Sequence, residues 1–115
     1  MNVVVLRGTL SRAPEERELG SGARLVRYEV TIRGGDGPAE TSPVAWLDAP
    51  IGAAAIPVGE EVVVVGRVRR RWFRRGPVTE SRVEVAAEAV IPARQRKKAD
   101  NAIRRAAAVL AGEEG

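Results

Sequence analysis

The sequence predicts an all-β domain of five strands, with a short helix between the third and fourth strands and a helical extension at its C-terminal end. Three observations lead there. Residues 3–91 carry alternating or short continuous apolar runs separated by Gly- and Pro-containing stretches, the pattern of strands and turns. The chain has 115 residues, which suits one domain. After Pro92 the apolar residues change from a period of two to helical spacing.

Each element can be read in turn. Val3 to Leu10 is Val- and Leu-rich and reads as the first strand, with Gly8 marking a bulge or bend. Ser11 to Gly22 holds Pro14, Gly20 and Gly22 and reads as a loop. In the next strand, Arg24 to Arg33, Val26, Tyr28, Val30 and Ile32 share one face, so Tyr28 is expected in the core. A Gly-rich loop, residues 34–37, precedes a short third strand, Thr41 to Leu47. Asp48 to Ile56 suits one or two helical turns with Asp48 as N-cap. Glu61 to Phe73 is the strongest strand signal, and Arg74 to Pro77 reads as a basic loop tip. The last strand runs from about Arg82 to Ile91. Five strands with a short helix in this position follow the order of an OB-fold barrel. The expected division is an OB domain over 1–92 and a basic helical extension over 93–115. That extension carries Ala99, Ala102, Ile103, Ala106, Val109 and Leu110 at helical spacing, with Gly112 as a stop.

Composition narrows the chemistry. The chain has no cysteine and no histidine, which removes disulfides, thiolate metal sites and the commonest general base and zinc ligand. No acidic motif points to a magnesium site, and no cofactor is expected. Nothing resembles a leader peptide or an apolar membrane span, so a cytoplasmic, nucleoid-associated place is the expectation. Charge is uneven. Residues 1–60 carry six Arg against eight acids, whereas residues 61–115 carry thirteen Lys or Arg against seven. Such asymmetry suits a surface directed at a polyanion.

The residues also match a family. Asn2-x-Val4-x-Leu6-x-Gly8-x-Leu10 is followed by Pro14-Glu15-x-Arg17, Ser21-Gly22 and Val44-Ala45-Trp46. Gly59-x-x-Val62-x-Val64-x-Gly66-Arg67-Val68 and Glu84-Val85-x-Ala87 complete the series. In order and spacing, residues 2–91 resemble bacterial single-stranded DNA-binding proteins. The resemblance implies an OB fold, assembly as a homo-oligomer (tetramer or dimer), and single-stranded DNA held by aromatics and basic side chains. It implies base stacking at Trp46. The family's acidic C-terminal tail has no counterpart in Gly112-Glu113-Glu114-Gly115, so a tail-less member is expected.

The chemistry of that function needs aromatic faces for bases and cations for phosphates. Arg67-Val68-Arg69-Arg70-Arg71-Trp72-Phe73-Arg74-Arg75 supplies both. Alternation groups Arg67, Arg69, Arg71 and Phe73 on one face and Val68, Arg70 and Trp72 on the other. If Val68 points into the barrel, Phe73 lies on the groove face; a bulge would exchange the two aromatics. Phe73 is preferred, and Trp72 is then expected to cap the core or serve the neighbouring loop. Arg7, Arg27 and Arg33 are further candidate phosphate contacts. For Trp46 the alternative to stacking is a place in the core beside Val44. The expected function is non-catalytic binding of single-stranded DNA in replication, repair or recombination. The rivals are RNA binding by the same groove and an OB-fold protein-interaction or primosome accessory module. No membrane and no small-molecule substrate is expected.

Overall fold

In the computed structural model, which describes residues 1–112, six strands form one sheet and a single α-helix follows them. The strands are β1 (Val4–Leu10), β2 (Glu15–Glu18), β3 (Arg24–Ile32), β4 (Glu40–Leu47), β5 (Glu61–Arg75) and β6 (Val78–Pro92). The helix α1 spans Arg96–Leu110, and a 3-10 turn occupies Ala53–Ala55. The chain end at 113–115 lies outside the described residues. Among the described residues no helix is long and apolar enough to cross a membrane.

The sheet order is β1-β5-β6-β4-β3-β2, and a further pairing of β1 with β3 closes it on itself. β1 runs antiparallel to β5 from Val4 to Thr9, then meets β3 at Thr9 and Leu10. Gly8 sits where β1 changes partner. A Cβ there would lie 2.5 Å from the Thr31 carbonyl oxygen, so only glycine lets the strands approach this closely. The bend read from Gly8 is therefore a point of closure.

Alternation divides the strands between two apolar clusters. Val26, Tyr28 and Val30 of β3, Val44 of β4, Val62 and Val64 of β5, and Val85 and Val90 of β6 face the inside of the ring. Tyr28 lies in this core as expected, and its hydroxyl donates to the Ala53 carbonyl at 2.8 Å. Burial, with a smaller contribution from the nearby Glu16 charge, raises its pKa. The opposite faces of β5 and β6 bury Val63, Val65 and Ile91 against Ala99, Ala102 and Ala106 of α1. Alanines let the helix lie close to the sheet, so the extension packs on the strands preceding it.

Four expectations are corrected. Glu15–Glu18 is a strand, not loop: it pairs with Arg24–Arg27 although its side chains are exposed. An exposed edge strand buries no face, so it carries no apolar alternation to read. The helical turns expected over Asp48 to Ile56 reduce to the 3-10 turn. Asp48 is not its cap but takes a left-handed φ of 57° straight after β4, a conformation Asp tolerates. Finally, Arg74 and Arg75 belong to β5, and β6 begins at Val78 rather than near Arg82. The turn is only Gly76-Pro77, with Gly76 at φ 60°, the positive value a tight hairpin needs at its first central residue.

A register shift separates Val65↔Ala89 from Gly66↔Ala87 and leaves Glu88 of β6 as the extra residue. Gly66 here lies against the β6 backbone. Gly66→Ala would drive a Cβ into the Ala86 carbonyl, which cannot move without breaking the ladder. The expected loss is about 1–3 kcal/mol in urea unfolding. Gly20→Ala, with open space around it, is expected to stay within about 0.5 kcal/mol.

Candidate nucleic-acid interface

The longest strands define the site. β5 and β6 have 15 residues each and pair from Val62↔Pro92 to Arg75↔Val78. β1 accompanies β5 only as far as Gly66, and β4 meets β6 only at Val85 and Ala86. Beyond those points the two strands continue as a two-stranded arm. An isolated hairpin is marginal in water, so this arm needs support at its base.

One support is Asn2. Its side-chain amide donates to the Val68 carbonyl at 2.8 Å and accepts from the Val68 N–H at 2.9 Å. The side chain thus continues the β1 ladder past the end of the strand.

The other support is Glu84 of β6. It is the buried charged residue among those described, at 2% exposure. Arg69 Nη2 donates to Oε2 at 2.6 Å, Arg71 Nε donates to Oε1 at 3.2 Å, and Arg27 Nη1 lies 3.6 Å from Oε1. One carboxylate therefore joins β3, β5 and β6. Burial alone would raise its pKa, but the hydrogen bonds from Arg69 and Arg71 and the charges of Arg69 and Arg27 outweigh that and hold it below the usual carboxylate range. Phe73 continues the same face. The guanidinium of Arg71 stands 5.1 Å from its ring centroid and that of Arg82 5.9 Å, so the ring is flanked by two cations.

The alternation read from the sequence is the one observed: Arg69, Arg71 and Phe73 share a face, and Arg70 and Trp72 lie on the other. Val68 has the parity of the inner face, yet it is exposed because the strands have left the ring. Trp72 does not cap the core: it is 66% exposed on the arm. Arg70 beside it donates to the Ser81 hydroxyl at 2.7 Å. Val68 and Val83 extend the same face as exposed apolar neighbours. Trp46 lies elsewhere. It shares the inner face with Val44, pairs with Val26 and is half-buried against the ring's core.

The arginines are unequal. Arg27, Arg69 and Arg71 converge on Glu84, Arg7 pairs with Glu61, and Arg75 pairs with Glu80. Arg67, Arg70 and Arg74 on the arm, and Arg33 after β3, form no ion pair among the described residues. The candidate residues are thus dispersed over two faces of the arm and the ring. Glu84 and Arg82 were not singled out from the sequence as partners. Counting back from a two-residue Gly76-Pro77 turn pairs Arg71 with Arg82 and Arg69 with Glu84; a longer loop tip obscures that register. Among the described residues no three His, Cys, Asp or Glu side chains gather as metal ligands.

Comparison with protein-family models gives no match, and comparison with curated proteins gives none.

The Glu84 cluster has a pH signature. Its carboxyl is depressed in the folded chain, so its contribution to stability is complete above the ordinary value of 4.5 and disappears as pH falls through the depressed folded value. Glu84→Gln is expected to cost about 2–3 kcal/mol at pH 7. That is less than the about 3–5 kcal/mol of a fully buried pair, because the arginine partners remain partly in water. The variant should also lose this part of the acid limb. Urea unfolding across pH 2–7 (about two to seven, spanning the carboxylate range) measures both, and parallel pH profiles for the two proteins would exclude Glu84 as the source.

Proposed function

We propose that this chain is a non-catalytic binder of single-stranded DNA, largely indifferent to sequence, built on an OB-like barrel and acting in replication, repair or recombination. The observation that carries the reading is Trp72. It stands 66% exposed on a two-stranded arm with Val68 and Val83 exposed on the same face, a contiguous apolar patch of the kind that marks a contact surface. Unpaired Arg70 and Arg74 share its face, so bases can stack on the indole while phosphates meet the guanidinium groups. The closed sheet, the turn between β4 and β5 and the sequence resemblance support the OB-like part. Stacking needs no catalytic group, which agrees with a chain lacking histidine and cysteine.

Within this reading the arm divides its work. Trp72, Arg70 and Arg74 are the contacts, and Arg67 is an unpaired cation at the base of the arm on its other face. Arg27, Arg69 and Arg71, held by Glu84, aim the arm, and Phe73 braces it under Arg71 and Arg82. Trp46 contributes at most a ring edge, since it packs against the core. Homo-oligomer formation fits the free edge of β1, where Val4 to Gly8 pair with β5 on one side only and Val5 is exposed. The setting for such a protein is the cytoplasm, with the nucleoid.

Fluorescence titration with oligo-dT tests the reading. Trp46→Phe should retain strong quenching and Trp72→Phe should lose most of it. Trp72→Ala should weaken binding by about 1–3 kcal/mol, and native affinity should fall steeply with salt. Quenching that follows Trp46 instead would move the site to the ring. No quenching and no salt-sensitive binding would leave a protein-interaction module using the Val68, Trp72 and Val83 patch. Competition by matched RNA oligomers separates the two nucleic acids through the 2′-hydroxyl.

A further inference from the structure

Among the described residues, Arg17 and Arg33 are unpaired on the ring, and the other unpaired cations lie on the arm and on α1 with its approach. Most ring cations, Arg7, Arg12, Arg24, Arg27 and Arg94, each face a carboxylate. On α1 the opposite holds. Lys97, Lys98, Arg104 and Arg105 are exposed, and none meets a carboxylate within ion-pair distance among the described residues.

Helical geometry orders these four. At 3.6 residues per turn, Lys97 and Arg104 fall in one row and Lys98 and Arg105 in the adjacent row, each pair about two turns or 10 Å apart. Asn101 and Ala108 lie between the rows. Ala99, Ala102 and Ala106, buried against the sheet, are opposite the Lys97 and Arg104 row, and the Lys98 and Arg105 row flanks them. The packing of α1 on β5 and β6 therefore points the Lys97 and Arg104 row straight at solvent and leaves the Lys98 and Arg105 row exposed along the helix flank, at the edge of the sheet. The two lysines do not serve the helix itself. Its first turn holds Arg96, Lys97 and Lys98, contains no acid, and has no side-chain cap from Gln95. Cations at that end oppose the helix dipole.

The stripe also adjoins the arm. A groove of about 860 Å³ runs between α1 and the strands, and Arg105 lines it together with Val65, Gly66 and Glu88, whose carboxylate is not within ion-pair distance of Arg105. Gly66 immediately precedes Arg67, the first unpaired arginine of the arm. The C-terminal half of α1 thus lies beside the base of the arm.

We propose that the solvent face of α1 is a second contact surface for the same single strand of DNA, taking its sugar–phosphate backbone through Lys97, Lys98, Arg104 and Arg105. It rests on the reading of the arm as a single-stranded DNA site. The two surfaces differ in kind. The arm offers an aromatic, whereas α1 offers none. Contact along α1 is therefore electrostatic, indifferent to base identity and silent in tryptophan fluorescence.

The test uses the full chain and a fourfold variant, Lys97→Ala, Lys98→Ala, Arg104→Ala and Arg105→Ala. All four side chains are exposed, and circular dichroism checks that α1 persists. Both proteins are titrated with an oligo-dT of about 8 nucleotides, within the roughly 4–16 nucleotides of one OB-fold site, and with one about twice that upper limit. The variant should bind the short oligomer as the native chain does, with the same quenching. On the long oligomer it should lose about tenfold or more in affinity at low salt. Its plot of log affinity against log salt should be shallower by about 0.7 for each phosphate contact removed. Native affinity and slope on the long oligomer would overturn the proposal and leave α1 a plain solvated helix. Equal losses on both oligomers would overturn it too, since they would report a weaker overall field and not a contact. A native chain that shows neither quenching nor salt-sensitive binding would overturn the arm reading itself, a different result from either.

Discussion

A single buried carboxylate organises the functional end of this molecule. Glu84 gathers Arg27 from β3 and Arg69 and Arg71 from β5, while itself standing on β6. Without it, the three guanidinium groups would crowd one face of the hairpin base with nothing to offset their repulsion. With it, they become cross-strand ties at the point where the sheet changes from a closed ring to a two-stranded arm. A buried ion pair is an uncertain source of net stability, because desolvation consumes much of the Coulombic gain. Its firmer consequence here is geometric. Three strands share one anchor, Phe73 is set beneath Arg71 and Arg82, and the opposite face of the arm remains open around Trp72.

The distribution of the remaining charge follows the same logic. Cross-strand pairing on the ring brings acids opposite or diagonal to arginines, so Arg7 finds Glu61 and Arg24 finds Glu16. The arm has fewer acids, and Glu80 and Glu84 are both engaged on one of its faces. Helix α1 has Asp100 as its one acid among the described residues; it neighbours the Lys97 and Arg104 row at three and four residues' spacing but comes within ion-pair distance of neither. Apart from Arg17 and Arg33, the cations without an ion pair among the described residues are consequently on the arm, on α1 and at its start. A modest net charge of +4 conceals this, since acids outnumber cations over residues 1–60 and cations outnumber acids over residues 61–115.

How much of this was legible depends on whether an element buries a face. β1, β3, β5 and β6 bury one, and their alternation or apolar runs identified them, as did the helical stripe of α1. β2 buries none, so four consecutive polar residues read as loop until β3 lay alongside them. Asp48 has the composition of a helix cap, but the chain must reverse direction after β4 and uses its left-handed tolerance instead. The tip of the hairpin is tighter than its composition suggests. Four residues with two arginines look like an exposed loop, whereas the actual turn needs only Gly76 and Pro77. That two-residue difference hid the register, and with it the opposition of Arg69 and Glu84.

The sequence by itself determined the strand-rich class, the C-terminal helix, the core position of Tyr28 and the face-sharing of Arg69, Arg71 and Phe73. All of these follow from local periodicity, which the chain carries without knowing its partners. Only the tertiary structure decided which arginines are committed and which are free, and that Trp72 rather than Phe73 is the open aromatic. Periodicity says which side of a strand a residue occupies. Whether that side is covered depends on where neighbouring strands stop, and β1 and β4 stop before the arm begins.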